Sequence, residues 1–318
     1  MRILLTRTDR IGDLILSTPA IATVRASFPE AHVTLIASPY NRVAMERNDD
    51  VDELVSLDRV VPRDFDLGIA LAPRSTDLRL VGASRAKRRF GYTYVRRWFA
   101  RVTAPLFVDT LMISEADPAL CERDPTFTVR HEVDQLLDLV ALAGASTRVA
   151  TLRLDVRDED RAAVASLPEH PVVLHLGDRW FHQGSSFDST QQLLRELAAL
   201  GRSIVVTTPR ESLAYTTMLQ APAGCTILGH MPFFTWAAIF ERASCIVTVD
   251  TAATHVASAV RRPTVVAFEH RYFRLNSQEW APYGVPHVLV RKPASEDVRS
   301  LAAFRNEIVE GVKTLLHA

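Results

Sequence analysis

A chain of 318 residues, of which 47% are hydrophobic and 23% charged, has the composition of an ordinary soluble globular protein and is long enough for two domains. Lys plus Arg and Asp plus Glu both number 37, so the formal net charge is zero, which argues against a dedicated nucleic-acid-binding protein. The three cysteines, Cys121, Cys225 and Cys245, have no short spacing, so they indicate neither a disulfide framework nor a zinc knuckle and fit a reducing cytoplasm.

The N-terminal segment combines a short strand with a polar loop. Residues 2–6 (RILLT) are predicted to form the first strand, which is too short an apolar run for a signal peptide. No later run approaches the ~20 residues of a membrane span, so any membrane contact is expected to be peripheral. Residues 7–13 (RTDRIGD) follow as a loop at the carboxyl end of that strand, the edge where open α/β sheets bind ligands. A helix is predicted from about residue 14 to 27, or from 17–18 with Pro19 at its first position.

Asp13, at the end of this loop, is a candidate for proton transfer. Its carboxylate can accept a proton from a hydroxyl group, and Gly12 before it allows a tight backbone turn. The alternative is that Asp9 and Asp13 only cap the helix and form ion pairs.

The rest of the first half alternates strands and helices, which predicts a parallel sheet with helices on both faces. The helix at 131–144 is amphipathic and ends at a glycine, and His131 at its start is interpreted as a structural residue. Further strands are predicted at 32–37, 51–57 and 66–71, and a short helix at 40–47.

A basic stretch with interleaved aromatic residues lies between positions 74 and 101. A solvated basic face is one interpretation. The other is a surface that receives an anion, because arginine makes bidentate contacts to carboxylate or phosphate and aromatic rings stack on sugars or meet membrane headgroups. The basic residues are Arg74, Arg79, Arg85, Lys87, Arg88, Arg89, Arg96, Arg97 and Arg101, opposed only by Asp77, and the aromatic residues are Tyr92, Tyr94, Trp98 and Phe99.

A second domain is predicted to begin near residues 155–170, where a charged helix at 157–165 leads into it. It repeats the alternation of strands and helices, and its long final helix at 296–316 is expected to cross back onto the first domain. Strands are predicted at 171–176, 203–208, 225–228, 246–249 and 264–268, and helices at 191–200, 211–219 and 234–243.

The segment from Ile246 to Pro263 predicts an anion site. A β-branched strand ends at Asp250, which can cap a helix over 251–260. A strand that leads directly into a helix directs several free backbone N–H groups at one point, which suits phosphate or pyrophosphate. His255 lies in the second turn of that helix. The alternative is an ordinary β-α connection in which the aspartate is only a cap.

Two nucleotide-binding halves with a site between them indicate a glycosyltransferase of the GT-B type or a dehydrogenase. The dehydrogenase fingerprint G-x-G-x-x-G is absent after the first strand. Six segments, in family order along nearly the whole chain, resemble the ADP-heptose:lipopolysaccharide heptosyltransferases, glycosyltransferase family 9. The segments are RTDRIGDLILSTPAI at 7–21, SFPEAHVTLIA at 27–37, GASRAKRRFGY at 82–92, HEVDQLLDLVALAG at 131–144, VTVDTAATHVASAV at 247–260 and EWAPYG at 279–284.

The resemblance implies an α/β fold of the GT-B class, with two Rossmann-like parallel-sheet domains facing across a cleft. The acceptor-side domain would span residues 1–160, and the domain that binds the nucleotide sugar would span 161–295. The C-terminal helix, 296–318, would pack back on the first domain.

The chemistry implied by the resemblance is an inverting, metal-independent transfer of a heptose from a nucleotide sugar, ADP-heptose, to a hydroxyl group. The nucleotide sugar is a co-substrate, and no further cofactor is expected. Asp13 matches the family's general base. The residues implied for donor binding are Asp250, Thr251, Ala252, His255, Arg179 and His182. Those implied for an anionic glycolipid acceptor are Arg7, Asp9, Arg10, Gly12, Arg74, Arg85, Lys87 and Arg88.

The sequence departs from the family pattern at three places in the donor half. The family usually has glycine after Asp-Thr, where this chain has Ala252. It usually carries a lysine or arginine beside an aromatic residue in the first loop of the second domain, where Arg179 or His182 would serve here. It tends to a Gly-Pro-Thr turn after the TVVAF strand, where residues 269–271 are Glu-His-Arg.

Three hypotheses follow for the function. The first is a cytoplasmic enzyme that extends lipopolysaccharide core, or a related bacterial glycan, at the inner-membrane face. The second keeps the chemistry but transfers the sugar to a protein serine or to another glycan. The third is a GT-B relative that has lost catalysis and serves as a binding or scaffold protein, which the departures at 178–188 and 269–271 motivate. None of the three includes nucleic acid as a partner.

Overall fold

The computed structural model describes residues 1–182 and 184–317. The chain forms two compact units, Met1–Leu154 and Asp155–Ala318. The boundary thus lies earlier than the predicted 160/161. The reason is that the charged helix following it packs within the second unit, where Arg161 pairs with Glu241 at 2.7 Å.

The first unit is built on a six-stranded sheet in which every neighbouring pair is parallel, in the order β3-β2-β1-β4-β5-β6. The central strands carry β-branched and leucine side chains that are almost completely buried, as expected for a sheet covered on both faces. The strands are β1 (Arg2–Arg7), β2 (His32–Ala37), β3 (Glu53–Ser56), β4 (Leu67–Ala70), β5 (Arg88–Tyr94) and β6 (Thr110–Ser114).

The helices of the first unit connect these strands. His131 caps the helix Glu132–Leu142 by accepting a hydrogen bond from the backbone N–H of Val133, so the interpretation of His131 as a structural residue is confirmed. The helix predicted at 40–47 is a short 3-10 helix, Arg42–Met45. The helices are α1 (Ile11–Leu16), α2 (Thr18–Ser27), α3 (Ser75–Ala83), α4 (Trp98–Thr103), α5 (Pro118–Arg123) and α6 (Glu132–Leu142).

Pro19 separates α1 from α2. It has no backbone N–H to donate to the carbonyl of Ile15, and the hydroxyl of Thr18 donates to that carbonyl instead, at 2.7 Å. The predicted long helix is therefore two helices. The first of them is a short separate element that carries Asp13 in its first turn.

The second unit repeats the same topology, with the parallel order β12-β11-β10-β7-β8-β9. Its strands are β7 (Val172–His175), β8 (Ile204–Thr207), β9 (Cys225–Ile227), β10 (Cys245–Val249), β11 (Thr264–Phe268) and β12 (His287–Arg291). Its helices are α7 (Asp158–Ala163), α8 (Phe187–Ala198), α9 (Leu213–Thr216), α10 (Phe233–Arg242), α11 (Ala252–Ala259), α12 (Phe273–Glu279) and α13 (Val298–Leu316).

The final helix, α13, corrects one expectation. Its apolar face, with Phe304, Ile308 and Val312, belongs to the core of the second unit, where it packs beside β10, β11 and β12. It therefore covers its own sheet, whereas we expected it to pack on the first domain. Among the described residues, no helix is long and apolar enough to cross a bilayer.

Candidate active site

The loops after β1 and β4 form the first candidate site. These strands are hydrogen-bonded neighbours, with Thr6 opposite Ala70. From β1 the chain proceeds through β2 to β3 on one side, and from β4 it proceeds through β5 to β6 on the other. The carboxyl ends of β1 and β4 therefore flank a topological switch point, which is where open α/β sheets bind ligands.

Arg7 is buried at this switch point and bonds to several of its residues. Its side chain is only 2% exposed. It pairs with Asp9 at 2.9 Å, with Glu132 at 2.9 Å and with Asp13 at 3.6 Å. It also donates to the carbonyl of Leu71 in the neighbouring loop. One guanidinium group thus connects the two loops of the switch point to α6.

Glu132, which α6 supplies, is itself buried. One of its carboxylate oxygens accepts the Arg7 bond and a hydrogen bond from the hydroxyl of Tyr92 at 2.5 Å. Its second oxygen has no hydrogen-bond partner among the residues that the structure describes. Three carboxylates therefore share one buried cation, so the cluster around Arg7 carries excess negative charge.

Asp13 is the member of this cluster that reaches solvent, with a side chain 23% exposed. Burial raises its pKa above the ordinary aspartate value, and the negative charge of Glu132 raises it further. The guanidinium of Arg7 and the side chain and backbone of Arg10 lower it. A carboxylate with a raised pKa and an accessible oxygen is a stronger base than a free aspartate, which is what proton abstraction requires.

Asp77 fixes the loop that follows β1. It accepts hydrogen bonds from the backbone N–H of Thr8 at 3.0 Å and from its hydroxyl at 2.8 Å. Burial, and then the negative charge of Asp9, raise the pKa of Asp77 to about 6. Asp77, the only acidic residue of the basic stretch, is therefore a buried residue that holds this loop in place.

The structure brings only part of the predicted acceptor set together. Asp9 and Arg10 lie in the loop after β1, whereas Gly12 and Asp13 lie in the first turn of α1, so the loop predicted at 7–13 is shorter than expected. Arg74 is exposed in the neighbouring loop after β4. Arg7, at the end of β1, is buried and bound to carboxylates, so its guanidinium positions the loop and does not face an acceptor.

Three predicted acceptor residues, Arg85, Lys87 and Arg88, lie at the opposite edge of the sheet. They come just before or at the start of β5, and Lys87 pairs with Asp66, which precedes β4, at 2.7 Å. A strand of seven residues separates its two ends by about 20 Å, so these side chains are remote from Asp13. The basic residues at the edge of the site are Arg96 and Arg97, which follow β5.

The loops after β7 and β10 form the second candidate site, at the switch point of the second sheet. The two strands are neighbours, with Leu174 opposite Val247. A side chain at Gly177 would come within 3.2 Å of Thr251, so glycine allows the two loops to approach closely. Arg179 crosses between them and donates to the carbonyl and the carboxylate of Asp250, both at 3.2 Å.

The helix α11 begins at this point, as predicted, but its cap differs from the prediction. The cap position is Thr251 and not Asp250, and the Thr251 hydroxyl donates back to the carbonyl of Val249 at 3.2 Å. The cap side chain therefore makes no hydrogen bond to the N–H groups of the first turn. Backbone N–H groups at a helix start, with a guanidinium group beside them, are suited to a phosphate group.

The remaining predicted donor residues lie around this point. Ala252 is the first residue of α11. His255 lies one turn into the helix with its side chain buried, and His182 ends the short 3-10 helix Asp178–Phe181 with its ring exposed. The backbone carbonyl of His270, which follows β11, accepts hydrogen bonds from Arg291 at 2.9 and 3.2 Å.

Lys292, which sequence analysis missed, supports the loop that carries Arg179. Its side chain is buried, and its ammonium group donates to the carbonyls of Arg179, Trp180 and His182 at 2.7, 2.9 and 2.6 Å. Burial lowers the pKa of Lys292 to about 8, which the charges of Glu269 and Glu296 oppose, so it is charged at neutral pH. We refer to residues 178–182 as the donor loop.

Replacing Lys292 with methionine is expected to loosen the donor loop. Methionine fills the same space but leaves three carbonyls without their donor, and each unsatisfied buried polar group costs on the order of 1–3 kcal/mol. We expect a loss of about 2 kcal/mol in the free energy of unfolding, measured in urea, and a nucleotide affinity about tenfold weaker.

Lys313→Met serves as the matched control, because Lys313 is a surface lysine paired only with Glu310 on α13. It should leave both quantities unchanged. Equal stability and equal nucleotide affinity for Lys292→Met and wild type would contradict this role of Lys292.

Metal-binding clusters of His, Cys, Asp and Glu are absent from the described residues. No disulfide joins the three cysteines, and Cys121 and Cys245 are buried.

Comparison with known proteins supports the resemblance seen in the sequence. Residues 191–302 match the family model described as glycosyltransferase family 9 (heptosyltransferase), a segment that contains β10 and α11. A search of curated protein sequences found no significant match.

Solved structures share the fold over the full chain. A glycosyltransferase family 9 protein from Veillonella parvula is 16% identical, with a TM-score of 0.74 over 99% of this chain and 97% of that one. ADP-heptose lps heptosyltransferase II of E. coli is 15% identical, with a TM-score of 0.73 over 100% and 99% of the two chains. E. coli heptosyltransferase WaaC with ADP is 17% identical, with a TM-score of 0.67 over 100% of both.

The two doubly wound parallel-sheet units therefore define an α/β fold of the GT-B class, as predicted. The match of residues 191–302 to the family 9 model lies in the second unit, and the solved structures extend the likeness in fold to the whole chain.

Proposed function

We propose that this protein is an inverting, metal-independent glycosyltransferase that moves a heptose, or a related sugar, from ADP-heptose to a hydroxyl of lipopolysaccharide core or a related bacterial glycan. The observation that carries the proposal is Asp13. It is a carboxylate with a raised pKa, held by a buried arginine at a ligand-binding switch point. We place the enzyme at the cytoplasmic face of the inner membrane.

In this mechanism Asp13 takes the proton of the acceptor hydroxyl while that oxygen attacks the anomeric carbon. The attack comes from the face opposite the nucleotide, and the bond from the anomeric carbon to the diphosphate oxygen breaks. The electron pair of that bond leaves with the diphosphate. Arg179 and the first-turn N–H groups of α11 stabilise the negative charge that grows on the leaving group.

The donor class draws support from two structural neighbours. One solved structure is of E. coli heptosyltransferase WaaC with ADP, and another is of the same enzyme with ADP-2-deoxy-2-fluoro heptose. A nucleoside diphosphate sugar suits the second switch point of this chain, where a helix start and an arginine lie side by side. The adenine base and the heptose remain part of the proposal.

Calorimetry with ADP, UDP and GDP tests the donor half. We expect ADP to bind most tightly, and Arg179→Met to weaken its binding about tenfold, the loss of one charge-assisted contact to phosphate. Arg202→Met is the matched control, since Arg202 is exposed just before β8, at the opposite edge of the same sheet. If none of the three nucleotides binds, the transfer proposal fails and a scaffold role is favoured.

A further inference from the structure

In α4 and the turn after it, the usual burial of large and small residues is reversed. Large apolar side chains point to solvent, with exposed fractions of 70% for Trp98, 61% for Phe99, 70% for Val102 and 74% for Leu106. The small residues of the same segment, Ala100 and Ala104, are the buried ones. A helix that packs on a sheet normally directs its large apolar residues inward. We refer to the four exposed residues as the α4 apolar surface.

The α4 apolar surface is contiguous. Trp98 and Val102 are four residues apart in α4, which places them on one face, and Leu106 follows in the 3-10 turn Ala104–Leu106. The ring of Phe99 stands edge-to-face against that of Trp98, with centroids 5.7 Å apart. Single exposed apolar residues are ordinary, but a contiguous group of large ones marks a surface that something covers.

Three exposed arginines lie beside this surface, whereas Arg85, Lys87 and Arg88 lie at the far end of β5. Arg96, Arg97 and Arg101 are exposed beside the α4 apolar surface, and the guanidinium groups of Arg96 and Arg97 lie over the ring of Tyr94, at 5.2 and 5.3 Å from its centroid. The covering partner must therefore combine an apolar layer with negative charge.

We propose that α4 docks on an anionic lipid bilayer, with the α4 apolar surface inserted at the boundary between headgroups and acyl chains. Tryptophan and phenylalanine suit that boundary, and arginines at its rim bind anionic headgroups. A second copy of this chain fits less well, because the basic rims of the two copies would face each other and repel.

The position of α4 connects docking with the candidate active site. It follows β5, at the same sheet edge as the Asp13 loop, and Arg97 donates to the carbonyl of Pro73 at 2.6 Å in the loop after β4. Docking would bring that edge to the bilayer, where a lipid-linked acceptor presents its sugar. This last step rests on the proposed function, whereas docking itself does not.

Flotation with lipid vesicles tests the proposal on the full chain. We expect wild type to float with vesicles of phosphatidylcholine and phosphatidylglycerol, and to remain in the bottom fraction with vesicles of phosphatidylcholine alone. High salt should weaken the binding to anionic vesicles. The variant Trp98→Ser/Phe99→Ser and the variant Arg96→Gln/Arg101→Gln should each reduce the bound fraction at least tenfold. All four positions are exposed, so both variants should keep the circular dichroism of wild type.

Met218→Ser/Val298→Ser is the matched control, since it removes two exposed apolar residues of the second unit and should leave vesicle binding unchanged. The proposal is overturned if wild type does not float with anionic vesicles, or if the Trp98/Phe99 variant floats as wild type does. It is also overturned if ultracentrifugation shows a dimer that the same variant dissociates, since a second copy then covers the surface. Vesicle binding needs neither donor nor acceptor, so its failure leaves nucleotide binding and transfer to soluble acceptors to be judged separately.

Discussion

Replacing Asp13 with asparagine is expected to abolish sugar transfer while the protein stays folded. Asparagine has nearly the same size and keeps an oxygen that can accept a bond from Arg7, but it cannot take a proton from the acceptor. General bases contribute about 10²- to 10⁴-fold to rates, so we expect the turnover rate to fall about 1,000-fold. The measurement is transfer of labelled heptose from ADP-heptose to a lipid-core acceptor.

The pH dependence of the wild-type rate adds a second readout. In the proposed mechanism the deprotonated carboxylate of Asp13 is the active form, so the rate should fall as the pH drops through its pKa. Because burial raises that pKa, the loss should begin at a higher pH than for an ordinary aspartate. Asp49→Asn, at an exposed carboxylate of the same unit, should behave like wild type. A wild-type rate in Asp13→Asn would remove this mechanism.

Arg7→Met should cause the largest loss of stability. It leaves the carboxylates of Asp9 and Glu132 in place without their cation, and breaking a buried ion pair in this way costs about 3–5 kcal/mol. Urea unfolding of the variant, compared with wild type at pH 7, measures the difference. Transfer should be lost as well, because Asp13 no longer has its partner.

Arg130→Met is the control for this substitution. Arg130 pairs with Asp138 at the protein surface, where solvent screens the interaction, so its loss should cost less than about 1 kcal/mol. Arg7→Lys should fall between the two, since it keeps the charge but lacks the guanidinium geometry. If Arg7→Met were as stable as wild type, the cluster of carboxylates could not be ionised in the way described here.

Sequence patterns predicted nine of the twelve strands that the structure describes, because buried β-branched runs and polar loops alternate along the chain, but they missed β5, β6 and β12. Both loops with the strongest motifs, after β1 and after β10, are at switch points in the structure. The final helix was misplaced for a physical reason. An amphipathic pattern shows that a helix has an apolar face, but it does not show which sheet that face covers.

The basic stretch shows that residues close in the sequence need not belong to the same site. Its residues are close in sequence, but β5 runs through the middle of the stretch and carries its two ends to opposite edges of the sheet. Arg85 and Lys87 are therefore at the far edge, while Arg96 and Arg97 are beside the site. The strand was not predicted, because its arginines and aromatic residues resemble those of a solvated surface.

The burial of charged residues was also not predicted from the sequence. A charged residue at the end of a strand is usually exposed. Arg7 is buried because Glu132, 125 positions away in the chain, supplies a partner. Lys292 is buried because it binds a loop 110 to 113 positions away. Pairings at this sequence separation leave no local pattern.

Lys292 binds the donor loop in a way that leaves the exposed side chains of the loop open to substitution. The contacts go to backbone carbonyls, which every amino acid possesses, so these three bonds do not depend on which side chains the loop displays. If the loop binds the donor as proposed, directed evolution of sugar preference should begin at its exposed residues, Asp178 and His182.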